Sequence, residues 1–272
     1  MVNVLDKVQP KNKTQLKSLI EYAFNHNIYD LNFIDTSKIK DMSKLFMSCE
    51  YDFDVSSWDV SNVTNMSQMF YFCVNFNCDL SGWDVSNVKN MRQIFYGCIS
   101  LNTDLSNWDV SNVTTTFRMF VGCKKFNSDL SNWDVSNVKN MNNMFYCCKN
   151  FDCDLSNWNV SNVTDMYSMF TACESFEGKG LDNWDVSKAE DMRFMFYNCK
   201  NFNCDLSNWD MSKALRINEM FYGCKNFEGK GLENWKLEKT LFYYDIFTGC
   251  DKVKLPSWYK AFLKRCNLEF FK

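Results

Sequence analysis

The most reactive side chains in this 272-residue chain are its 14 cysteines, and nine of them recur at a fixed interval. Cys49, Cys73, Cys98, Cys123, Cys148, Cys173, Cys199, Cys224 and Cys250 are 24 to 26 residues apart. A disulfide framework is one chemistry such residues could carry. Nine is odd, however, and members of one column each face the next, so a stacked ladder of small buried thiols is the expectation. Cys78, Cys153 and Cys204 share a register position with Thr103 and Ser128, as small core fillers would. Reduced cysteines favour a reducing compartment. Zinc is a second possibility, because Cys73 and Cys78, Cys148 and Cys153, and Cys199 and Cys204 form C-x4-C pairs. A structural zinc needs four tetrahedral ligands, and no second pair lies on the neighbouring repeat, so no metal is expected. Nucleophilic catalysis needs a positioned base, and His26 is the one histidine, placed away from every repeated feature. The Gly-Lys-Gly of 178–180 and 229–231 lengthens a repeat by one residue rather than forming a phosphate loop. The chain is therefore expected to be no enzyme and to use no cofactor.

Two columns of polar side chains remain as candidate partner-binding residues. The first is Asp54, Asp79, Asp104, Asp129, Asp154 and Asp205, interrupted by Gly180 and Gly231. Asn77, Asn102, Asn127, Asp152, Glu177, Asn203 and Glu228 stand two or three residues before these positions. On an open face this row would attract a basic protein segment or loosely held cations; alternatively the side chains cap turns and bond to backbone. The second column is Tyr71, Tyr96, Tyr146, Tyr197 and Tyr222, with Val121 and Thr171 in the gaps. Tyrosine is enriched at interface cores, so the row is either an anchor surface or a set of rings packed over adjacent coils.

A repeat must position these columns. All nine tryptophans, from Trp58 to Trp258, keep step with the cysteines at spacings of 23 to 26 residues. A fixed period of this size marks a solenoid, in which each unit buries its apolar face against its neighbours. Residues 149–199 and 200–250 further match as two-repeat blocks, with Phe-Glu-Gly-Lys-Gly-Leu at 176–181 recurring at 227–232. Within a unit, Val63, Met66, Met69, Phe70 and Cys73 have helical spacing and predict a short helix capped by Asp59 or Ser61. Phe76, Cys78 and Leu80 alternate with polar residues and predict a strand with the Asp row facing outward. The expectation is an α/β repeat, a leucine-rich-repeat-like solenoid with a short parallel strand and a short helix per coil. Residues 1–30 would form an N-terminal helical cap, 31–255 a solenoid of about nine repeats, and 256–272 a C-terminal helical cap.

The unit L-S-N-W-D-V-S-N-V-T-x-M-x-x-M-F-x-x-C-x-x-F-N resembles the repeat of BspA-like leucine-rich-repeat surface proteins, over roughly residues 31–255. It is most similar to the branch seen in mycoplasma lipoproteins, with relatives in protists and large DNA viruses. The resemblance implies a right-handed solenoid used in adhesion or protein binding, without enzymatic activity. Composition points to an ordered chain: 46% hydrophobic and 23% charged residues exclude disorder. A net charge of −3 argues against a nucleic-acid binder built on a basic face. There is no 18-residue apolar run for a membrane span. The start, Met1-Val-Asn-Val-Leu-Asp-Lys, lacks the pattern of a signal peptide, so a cytoplasmic or host-interior location is expected, with the cell surface as the alternative. The functional expectation is a protein-binding or adhesion module, or else a structural component of a virion or cell envelope.

Overall fold

The structure, a computed structural model, describes residues 7–265. The start of the chain, the outer ends of both cap ranges and Cys266 lie outside the described residues. Each coil is a succession of β-turns. In one, backbone N–H to C=O bonds close Val63 onto Val60, Met69 onto Met66, Cys73 onto Phe70, Phe76 onto Cys73 and Trp83 onto Leu80, at 2.9–3.2 Å. A β-turn brings its first and fourth residues to the same side, so apolar residues three apart all point inward. Each of these residues is buried.

This corrects the helix and strand expected in each coil. Gln68 and Phe72 have φ of +58° and +57°, and the same two register positions are left-handed in coil after coil, as at Arg118 and Gly122. A right-handed helix cannot accommodate such residues. The spacing that predicts a helical face is real as a burial pattern and is produced by turns. Among the described residues the helices are α1 (Lys13–Asn25), α2 (Ser257–Arg265) and single 3-10 turns at Leu181–Asn183 and Leu232–Asn234. Asp59 closes a turn onto the Ser61 N–H at 3.0 Å and caps no helix.

The parallel pairing also lies elsewhere. Single-residue bridges connect Asp41, Asn65, Asn90, Thr115, Asn140, Asp165, Asp191, Arg216 and Phe242 in one unbroken column. From there, alternate N–H groups donate to the next coil: Met66, Gln68, Phe70 and Phe72 bond the carbonyls of Asn90, Arg92, Ile94 and Tyr96 at 2.6–3.0 Å. The ladder thus occupies the Met-x-x-Met-Phe segment. The Phe76–Leu80 segment and its Asp79 are outside it; of the Asp row only Asp54 is bridged, to Asp30.

The interior is a set of columns. Phe70, Phe95, Phe120, Phe145, Phe170, Phe196 and Phe221 stack with centroids 5.5–5.7 Å apart. Every tryptophan indole N–H donates to a carbonyl one coil back, as Trp133 does to Leu105 at 2.9 Å. The cysteine column does the same with its thiols: Cys73, Cys98, Cys123 and Cys148 donate to the carbonyls of Phe46, Phe70, Phe95 and Phe120 at 2.9–3.0 Å. The thirteen described cysteines are free thiols. Gly180 and Gly231 serve the two longer coils. At φ of +83° and +89°, a Cβ on either would lie 2.1 or 2.2 Å from the Ser156 or Ser207 amide nitrogen.

Helices close both ends. The Asn12 side chain accepts the Gln15 N–H to start α1, and Leu16, Ile20 and Ala23 are buried. Lys13 reaches Ser43 and Asp41 of the first coil at 2.6 and 3.3 Å. At the other end Trp258 continues the indole stack on Trp235 at 6.3 Å. Beside it Tyr259 meets Phe247 edge-on at 5.0 Å.

Candidate functional site

The Asp row is built from Asx turns, in which a carboxylate accepts the backbone N–H two residues on. Asp54, Asp79, Asp104, Asp129, Asp154 and Asp205 each accept from the serine two residues later, at 2.8–3.0 Å. The neighbouring column links coils in the same manner. Asn77, Asn102, Asn127, Asp152 and Asn203 accept the N–H of the corresponding residue one coil on, at 2.6–3.1 Å. The Ser81 N–H holds the Asp79 carboxyl below the usual carboxylate range, and the Ser131 N–H does so for Asp129. Lys230, 2.6 Å away, is the largest influence holding Asp205 at about 2. Lys179 pairs likewise with Asp152 at 2.7 Å. The row is largely exposed, with one oxygen of each carboxylate bonded to its own turn.

Thr103, Ser128 and Cys153, expected as fillers beneath this row, are acceptors. They take the N–H of Leu80, Leu105 and Leu130 at 3.2, 2.9 and 3.1 Å. In the longer coils, which carry glycine there, the carbonyls of Lys179 and Lys230 take the corresponding N–H of Leu155 and Leu206. Burial pushes the Cys153 thiol up to about 11 and those of Cys78 and Cys204 to about 12. The C-x4-C pairs divide between roles. Cys73 belongs to the interior column, whereas Cys78 lies at the edge, 3.4 Å from both the Val55 nitrogen and an Asp54 oxygen. His26 ends α1, with Nδ1 2.8 Å from the Tyr22 carbonyl oxygen and its ring 4.1 Å from that of Tyr22.

The tyrosines project from the hydrogen-bonded ladder and all five are half-buried. Tyr71 stacks on Tyr96 and Tyr197 on Tyr222, both at 4.8 Å. Tyr146 stands between Val121 and Thr171, so the row is two pairs and a single ring rather than a continuous strip. The same face carries arginines that the sequence reading passes over. Arg193 grips both oxygens of Asp191, at 2.8 and 2.6 Å, and lies 5.0 Å from the Tyr167 ring centre. Arg216 approaches the same carboxylate at 3.5 Å. Arg92 and Arg118 both pack on Phe117, at 4.7 and 4.9 Å. The signal for Arg92 and Arg193 is the position just after the first methionine of the Met-x-x-Met register, whereas the next position is buried in several coils, as at Gln93, Asn143 and Ser168.

Stacked turns, inward columns and two ordered outer faces define a repeat solenoid. The chain belongs to the family described as Mycoplasma protein of unknown function, DUF285, whose model matches residues 14–129, 97–180 and 154–258. A solved structure, the crystal structure of the T. pallidum leucine-rich repeat protein TpLRR, is similar at 15% identity, covering 80% of this chain and 83% of that one with a TM-score of 0.35. No curated protein matches the sequence. Among the described residues no helix is long and apolar enough to cross a membrane.

Proposed function

We propose that this chain is a non-catalytic protein-binding module of BspA-like type, and that the ladder face is the surface it offers. The observation that carries this reading is the pair of half-buried tyrosine stacks, Tyr71 on Tyr96 and Tyr197 on Tyr222. Stacking on a bonded ladder fixes the rings before a partner arrives, so little ordering cost is incurred on binding. The Asp row has a weaker claim than its sequence pattern gave it. The row does face outward, but each carboxylate already serves a turn. The free thiols fit a reducing compartment.

The test is affinity capture from source-cell lysate with three forms of the chain: wild type, Tyr71→Ala/Tyr96→Ala, and Asp79→Asn/Asp104→Asn/Asp129→Asn. The tyrosine variant should lose the captured protein while keeping its thermal midpoint within a few degrees of wild type, and the asparagine variant should retain it. The opposite result would return the binding site to the acidic row.

A further inference from the structure

The ladder face is not electrically uniform. Its segments 65–73, 90–98, 115–123 and 140–148 contain no acidic residue and two arginines, Arg92 and Arg118. On the later coils Arg193 and Arg216 both pair with the single carboxylate of Asp191, at 2.6 and 3.5 Å. Arg92 and Arg118 make no ion pair among the described residues. Both are exposed, and both guanidinium groups rest on the one Phe117 ring. Packing on a ring restrains an arginine while leaving its N–H groups to face solvent. On the two preceding coils Tyr71, Phe72 and Tyr96 form a cluster with centroids 4.8–5.3 Å apart. Phe72 is 44% exposed although it is a large apolar ring. Gly97 provides its seat, since a Cβ there would lie 2.7 Å from the ring. Arginine, tyrosine and phenylalanine gathered on a rigid face are the composition of an interface core.

We propose that this patch docks an acidic segment of a partner protein, with Arg92 and Arg118 receiving carboxylates and the Tyr71–Phe72–Tyr96 cluster receiving an adjacent apolar side chain. The proposal rests on the protein-binding reading above and adds the partner's charge, opposite to the basic segment that the Asp row suggests. Arginine binds carboxylates through paired charge-assisted hydrogen bonds, and two such sites beside an aromatic cluster match an alternation of acidic and aromatic residues. Nucleic acid is the poorer occupant: two unpaired arginines on a chain of net charge −3 fall far short of the basic stripe that a phosphate backbone requires.

The probe is a fluorescein-labelled peptide of repeated Glu-Glu-Phe-Glu, titrated against the full chain by anisotropy at low and moderate salt. Its glutamine analogue and an oligouridine RNA serve as controls. The acidic peptide should bind, weaken as salt rises, and lose at least about tenfold in affinity to Arg92→Gln/Arg118→Gln. Asp79→Asn/Asp104→Asn/Asp129→Asn should bind no more weakly than wild type. Thermal midpoints verify that each variant is folded. Equal binding of the glutamine peptide, tighter binding of the RNA, or an undiminished arginine variant would each overturn the proposal. If the acidic peptide fails while Tyr71→Ala/Tyr96→Ala still abolishes capture of the cellular partner, the acidic-segment proposal falls and the protein-binding reading stands. Loss of neither signal on mutation removes both.

Discussion

Thr116 occupies the register position that Met66, Met91 and Met141 fill in neighbouring coils, and its hydroxyl oxygen is buried without a hydrogen-bond partner. An unsatisfied buried hydroxyl costs roughly 1–3 kcal/mol. Thr116→Val keeps the shape and removes the hydroxyl, so it should stabilise the fold by about 1 kcal/mol. Denaturant titration checks this, and a lowered midpoint would show that the hydroxyl is satisfied in solution. At this scale much was legible in the sequence. The Trp, Phe and Cys columns were visible as inward-facing from their period alone, because identical neighbours stack only if each coil repeats its predecessor. The bonds these groups make were not legible. That Cys98 donates to the Phe70 carbonyl, or that Ser128 accepts the Leu105 N–H, depends on how far one coil is offset from the next, which spacing does not specify.

The β-turn, the element that sequence reading mistook for a helix, can be tested through the sign of a single substitution. Gly122 has φ of +73°, and a Cβ placed on it meets nothing closer than the Gly97 Cα at 3.9 Å. In a helix, Gly122→Ala would stabilise by roughly 0.5–1 kcal/mol; in this left-handed turn it should destabilise by about 1–2 kcal/mol. The converse applies at the same register, where Ala172 has φ of +58°, so Ala172→Gly should stabilise by about 0.5–1 kcal/mol. Thermal melts of the two variants that both moved in the helical direction would reject the turn assignment. The misreading has a physical origin. Turns closing every three or four residues bury the same positions as a helix face does, so the apolar pattern cannot tell them apart. The distinguishing signal was glycine at 97, 122, 223 and 249, always just before the cysteine, where a helix is penalised and a left-handed turn is favoured. The two α-helices among the described residues lie outside the repeat, and α1 was legible because its apolar spacing has no such glycine.

At the scale of the whole molecule, the thiol column couples stability to pH. Burial raises Cys98, Cys123, Cys148, Cys173 and Cys224 well above the ordinary thiol range, and Cys73 and Cys250 to about 12. A group whose folded pKa is raised contributes its full stability below the unfolded pKa of about 9 and loses it as pH rises toward the folded value. Each such thiol should remove about 1.4 kcal/mol per pH unit above that point. Urea midpoints should therefore be nearly level from pH 7 to about 8.5 and then fall steeply, with a gentler fall in Cys98→Ala/Cys123→Ala/Cys148→Ala. A midpoint unchanged up to about pH 11 would contradict the buried column. The ladder has a further consequence at this scale. Its peptide units face one way: the carbonyl of Asn65 accepts from the coil before, while the N–H of Met66 donates to the coil after. About thirty such units outnumber the roughly dozen N–H groups that point the other way, as Lys89 does to Thr64, and at roughly 3.5 D each the excess leaves a net dipole on the order of 50 D along the stacking direction. The solenoid is thus an electret with its positive pole at the C-terminal end, although among the described residues α1 and α2 are its only α-helices. Two copies lying side by side would favour opposite directions at low salt, and an anion drifting past would be drawn toward the last coil rather than the first.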